Sequence, residues 1–224
     1  MDWQAIWLSL RLAFSTSAIL LVVGMPLAYW LTFSHRRWKF LVEAVVALPL
    51  VLPPTVLGFY ILLAISPRGP VGAVYAKLTG GLLPFSFAGL LVASVLYSLP
   101  FTVQPMAVAF GAVDRRLIEA SWCLGVSRLA TFRRVVVPLA RPGIASGAIL
   151  SFAHTMGEFG VVLMVGGNIA GVTRTVSISI YDQVQALDYA AAGATSALLL
   201  AFSFVVLALT YSWQRGVWAV WPAN

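Results

Sequence analysis

Few residues in this chain have types and spacings that invite chemistry. Ser151 and His154 stand three apart, so on a helix they would share a face as a nucleophile and base. No third orienting group and no G-x-S-x-G elbow surrounds the serine, and small hydroxyls commonly join membrane helices. Packing rather than catalysis is therefore expected of the pair. His35, the other histidine, lies in a basic stretch, so no two histidines fall at metal-ligand spacing and no metal site is expected. The one cysteine, Cys123, excludes an internal disulfide framework and a cysteine metal cluster, and reads as structural filler. A G-x-x-x-x-G-K-S/T phosphate loop is absent, since the lysines are Lys39 and Lys77 and neither follows glycine. If ATP drives this protein, another subunit binds it. Two features remain: an acid between glycines, Gly157-Glu158-Phe159-Gly160, and a polar, basic island, EASWCLGVSRLATFRRVVVPLARPG, at 119–143.

The elements that must position them are set by the solvent. The chain is 61% hydrophobic and 9% charged, where an ordinary globular chain is about 25% charged. It reads as one all-α integral membrane domain over 1–224. A bilayer core of about 30 Å needs about 20 apolar residues, and five such runs appear, near 12–33, 40–65, 85–113, 143–165 and 189–213. Lipid offers backbone groups no partners, and alternating barrel strands are absent, so each run is expected to be helical. Trp3, Trp7 and Arg11 suggest a short interfacial helix before the first span, and no cleaved signal peptide is read there. Pro26, Pro49, Pro53, Pro54, Pro100 and Pro105 should kink three helices and leave room for a cavity. The stretch between the last two spans, containing ISISIYDQV, is too apolar for a solvated loop and suggests a re-entrant piece or a short helix on the outer face.

The net charge of +7 is not arranged as a nucleic-acid stripe. Arg36, Arg37 and Lys39 fall in the first connection. Arg115, Arg116, Arg128, Arg133, Arg134 and Arg141 fall between the third and fourth spans, and Arg215 follows the fifth. The positive-inside rule then places the N-terminus in the periplasm and the C-terminus in the cytoplasm. The connection at 114–142 is long enough to hold structure of its own. Leu117, Ile118, Ala120, Ser121 and Leu124 fall at helical spacing, Gly125 suits a left-handed turn, Ser127 can cap a second helix, and Pro138 is expected to stop it.

That island resembles the EAA motif of ABC importer permeases, with Glu119, Ala120 and Ser121, then Gly125, then Val135, Val136, Val137 and Pro138 at the motif's spacing. Ser121 replaces the motif's third residue, and valines replace its aliphatic positions. LPLVLPPTVLG, SPRGPVG, FSFAG, GEFG, NIAGVTRT and IYDQVQ are similar to molybdate importer permeases of the ModB type, and the resemblance covers most of the chain. It implies a type I ABC importer permease fold of five transmembrane helices plus short cytoplasmic coupling helices. It further implies an inner-membrane homodimer, two ATP-binding subunits that hold ATP and Mg, and a periplasmic molybdate-binding protein. In such a complex the island docks on the ATPase through Glu119, Ala120, Ser121, Leu124, Gly125 and Val126, and this subunit is no enzyme and needs no cofactor. Glu119 has an alternative role, capping its own helix or pairing with Arg115 or Arg116. Sulfate or another oxyanion is the alternative cargo. A membrane-embedded enzyme lacks its catalytic set, and a passive channel has no use for a docking knob.

Glu158 falls about 22 Å along a helix from Gly143, where a lipid-exposed charge costs about 2.5–3.5 kcal/mol or more. It is expected to face protein or water. With Gly157 and Gly160 allowing close approach, GEFG suits a helix-packing contact or gate where two copies meet, with Phe159 a candidate plug. The alternative is a structural carboxylate bonded within one subunit. A direct contact with a dianion is disfavoured by charge.

Overall fold

The computed structural model describes residues 2–218, and no strand occurs among them. Helix α1 spans Trp3–Phe33, and the Asp2 side chain caps it by accepting from Ala5 N at 3.0 Å. The separate interfacial helix expected at the N-terminus is not formed. Nothing between Trp3 and Leu12 breaks a helix, and Ala5, Leu8 and Ser9 are buried along with the span proper.

The second expected span is two helices, α2 (Lys39–Val51) and α3 (Pro54–Ile65), bent by 118°. A proline drives the residue before it out of the helical region. Leu52 and Pro53, each followed by proline, both have extended ψ values, 138° and 135°. The connection after α3 forms α4 (Pro70–Thr79), and Ser86 caps α5 (Phe87–Gly111) by accepting from Gly89 N. Pro100 and Pro105 stay inside α5.

The island forms α6 (Arg115–Cys123), α7 (Arg128–Thr131), a π-helical turn (Phe132–Val136) and α8 (Val137–Leu139). The remaining helices are α9 (Arg141–Gly157), α10 (Gly160–Gly166), α11 (Val176–Gln185) and α12 (Tyr189–Trp218). The fourth expected span is therefore interrupted at Glu158 and Phe159. The fifth runs past 213, so Arg215 lies within α12 rather than after it. The last residues, 219–224, whose cytoplasmic placement the charge pattern suggests, lie outside the described residues.

By length and composition α1, α5 and α12 can each cross a bilayer, and the bent pairs α2/α3 and α7–α8/α9 raise the number to as many as five. Helices α1, α5 and α9 pack against one another at the centre. Small residues permit the close approach: a Cβ on Gly147 of α9 would lie 2.8 Å from the Thr102 carbonyl oxygen of α5. The proline-bearing stretch of α5 lines a cavity of about 730 Å³, with Pro100, Gln104 and Pro105 facing Leu139, Pro142 and Gly143. The stretch between the last two spans forms the short helix α11, tied to α1 where Val176 N donates to Ser9 Oγ at 2.8 Å.

Candidate functional site

The island is a two-armed knob built by local chemistry. Asp114 caps α6 by accepting from Arg116 N at 2.9 Å. At its far end Gly125 adopts φ +76°, Gly125 N donates to Trp122 O and Val126 N donates to Ser121 O. That bond pair is the Schellman motif, which satisfies carbonyls a helix end leaves open. Ser127 Oγ then accepts from Ala130 N and caps the second arm. The arms are joined by a buried hydrogen bond of 2.7 Å between Ser121 and Thr131 hydroxyls, so the serine at the motif's third position is a cross-link.

Pro138 does not stop the second arm. The π turn carries the backbone through it, with Val137 N bonded to Phe132 O, and the helix runs on to Leu139. The chain bends by 75° at Ala140, ahead of Pro142. Glu119 is exposed and makes no ion pair or hydrogen bond among the described residues, and Asp114 does the capping. The intramolecular alternatives for Glu119 are thus not what the fold uses. At the tip Leu124 is 83% exposed, and Trp122 and Leu129 are exposed beside it.

The base of the knob is continuous with the membrane core. Ile118, Val136 and Ala140 are buried in one cluster with Ala28, Val103, Met106 and Phe110. Phe132 sits edge-on to Tyr29 at 4.8 Å and to Phe110 at 6.0 Å between ring centroids. Helical spacing marks Ile118 as part of the first arm's apolar face, whereas nothing in the spacing singles out Phe132 or Val136 as core residues. Their signal was an apolar residue inside a segment otherwise too charged to be buried.

At the other end of α9 the predicted GEFG residues lie at the helix break. Glu158 is 4% exposed, and its Oε2 accepts from Ser94 Oγ at 2.8 Å while Oε1 has no partner among the described residues. A Cβ on Gly160 would lie 2.9 Å from Pro54 Cβ, so α10 starts against the start of α3. Gly157 has open space around it. Phe159 packs inward with Leu8, Leu12 and Leu90 and against Tyr181 at 5.1 Å.

Ser151 and His154 do not form a pair. Ser151 Oγ donates to Ala148 O and meets Ser17 Oγ at 3.1 Å, whereas His154 Nδ1 lies 2.9 Å from Ser98 Oγ. The His154 ring stacks on Phe101 at 3.9 Å. Pro54, Thr55, Tyr97, His154, Gly157, Glu158 and Gly160 together line a cleft of about 610 Å³. It is smaller than the cavity at Pro100 but gathers more polar groups. Ser94, Tyr97, Ser98 and Thr55 were missed in the sequence. Ser94 and Ser98 are spaced by one helical turn, as are His154 and Glu158, and that matched polar interval was the available signal.

An all-helical chain with a basic, glycine-turned knob between helices of membrane length defines an architecture, and comparison gives it a family. A family model described as binding-protein-dependent transport system inner membrane component matches residues 21–217, and the chain belongs to that family. It is similar to the molybdenum transport system permease protein ModB of Azotobacter vinelandii, 55% identical over 214 residues, 96% of this chain and 95% of that one. ModB of Escherichia coli K12 is 35% identical over 184 residues, covering 82% and 80%. Among solved structures, the inward-facing MetNI methionine ABC transporter shares the fold with TM-score 0.72 at 18% identity, covering 97% of this chain and 96% of that one.

Proposed function

We propose that this chain is the membrane-spanning subunit of an ATP-driven importer that passes molybdate, and tungstate with it, from a periplasmic binding protein into the cytoplasm. It acts as a single permease domain in a homodimer, with two ATP-binding subunits that hold ATP and Mg, and with its N-terminus in the periplasm. The 55% identity to a molybdenum transport permease supports the cargo.

The observation that carries the coupling is the knob, whose tip is exposed at Leu124 while its base is locked into the core at Ile118, Val136 and Phe132. Force on the tip then moves α1, α5 and α9 instead of bending a loop. Glu119, Ala120, Ser121, Leu124, Gly125 and Val126 form or support the docking surface. GEFG, with Phe159 packed inward, is the outer gate or helix-packing point.

Uptake in a strain lacking this subunit tests the reading, with molybdenum and sulfur accumulation measured at scarce supply. Restoring the gene should restore molybdenum uptake with sulfate uptake unaffected. Unaltered molybdenum accumulation in the deletion strain would refute the cargo.

A further inference from the structure

Two backbone breaks far apart in sequence meet at one place. The break before α3 and the break after α9 both border the cleft of Pro54, Thr55, Tyr97, His154 and Glu158. Irregular backbone at membrane depth is tolerated where it is buried in protein or lines a water-filled cavity. The walls carry donors with nothing to bind. Ser98 Oγ lies 2.9 Å from His154 Nδ1, and in the tautomer in which that hydroxyl donates, Nε2 carries the proton; neither Nε2 nor the Tyr97 and Thr55 hydroxyls have a partner among the described residues. Helix α3 begins at the cleft with Pro54 and Thr55; proline has no N–H and the Val56 and Leu57 amides bond Pro53 O, so its first turn offers an anion one free amide, that of Thr55, at the positive end of the helix. Set into this wall is Glu158, buried, with Oε1 unsatisfied.

These groups fit one ligand class. The Tyr97 and Thr55 hydroxyls, His154 as the Nε2–H tautomer and the Thr55 amide suit a tetrahedral oxyanion, but an ionised Glu158 behind them would repel it at low dielectric. We infer that the cleft is an oxyanion station on the transport path, occupied only while Glu158 carries a proton, so that anion and proton bind together. This rests on the importer reading and names where in this subunit its cargo pauses. His154, Tyr97 and Glu158 are the titratable groups facing the cleft; the start of α3 and Phe159 and Gly160 add none. His154 acts as a neutral donor through Nε2, and Glu158 sets the charge of the wall.

The test uses the whole complex in proteoliposomes, with the same pH on both sides and initial molybdate uptake measured from pH 6 to 9. Wild-type uptake should fall as pH rises, with a limiting slope of about tenfold per unit, the signature of one proton. Glu158→Gln, which cannot ionise, should lose that slope. His154→Gln should be slower at every pH with the slope kept, and Tyr97→Phe should take up molybdate several-fold more slowly throughout.

A flat wild-type profile, or a wild-type slope surviving in Glu158→Gln, overturns the proton site. An unchanged rate in Tyr97→Phe removes the cleft from the path, and decides the matter even where Glu158→Gln fails to assemble. Absence of molybdate uptake by wild type at every pH overturns the importer reading itself, a result distinct from uptake with the wrong pH dependence.

Discussion

Gly125 is the sharpest place to test whether the knob transmits force. Its φ of +76° is a conformation in which a side-chain-bearing residue costs about 1–2 kcal/mol. A Cβ there would meet no atom within 4 Å. The cost of Gly125→Ala is therefore conformational alone, with no clash to spread into the membrane core. Converted at 1.4 kcal/mol per factor of ten, it lowers the population of the native turn by about 5- to 30-fold against frayed alternatives. The Ser121 to Thr131 cross-link and the buried base should hold, so the variant should insert and copurify with its partners. What should fall is substrate-stimulated ATP hydrolysis and uptake by the reconstituted complex, by at most that factor, since the native fraction falls less than the ratio wherever the turn is favoured to begin with. Gly125→Asn should recover part of the loss, because asparagine tolerates the left-handed region better. Wild-type coupling in Gly125→Ala would refute the claim that this turn sets the docking geometry. A variant that no longer folds would refute the claim that the cost is local.

Ser94→Ala removes the one side-chain hydrogen bond of a buried carboxyl and should cost about 1–3 kcal/mol. A fall of several degrees in melting temperature, read by fluorescence-detected size exclusion, is expected, and an unchanged melt would show that Ser94 is not what holds Glu158. Gly147→Val inserts bulk where a Cβ already lies 2.8 Å from a backbone oxygen of α5, and should cost about 1–3 kcal/mol by overpacking. Gly157→Ala, with open space around it, should leave stability unchanged in the same measurement. Equal melting of the Gly147 and Gly157 variants would argue against the tight α5/α9 crossing.

The knob was legible because its parts are local. A left-handed glycine, a serine cap and an apolar face each declare themselves within a few residues, and the two arms follow. The helical segments were legible because lipid leaves the backbone little choice. The prolines were not, since their outcome depends on what replaces the missing donor. Pro53 and Pro54 end α2 and open a 118° bend. Pro100 and Pro105 are carried inside α5, and Pro138 is passed through a π turn whose longer bond joins Val137 N to Phe132 O. The same residue type ends one helix, is carried inside another and is passed by a π turn in a third, and its neighbours in space decide which.

Glu158 follows the same logic. A run from 143 to 165 is apolar enough to be one helix, yet it breaks where Gly160 seats against Pro54, a contact between residues about a hundred positions apart. On a smooth helix Glu158 is an isolated charge, and such a charge disfavours an anion beside it. Placed beside a second helix break, two hydroxyls and an imidazole with a free nitrogen, the acid lies in the wall of a polar cleft. There its proton sets the sign of the local field, and a residue that repels an oxyanion when ionised becomes compatible with it when neutral. The chemistry at this position was never written in the spacing of GEFG; it arises where the two breaks converge.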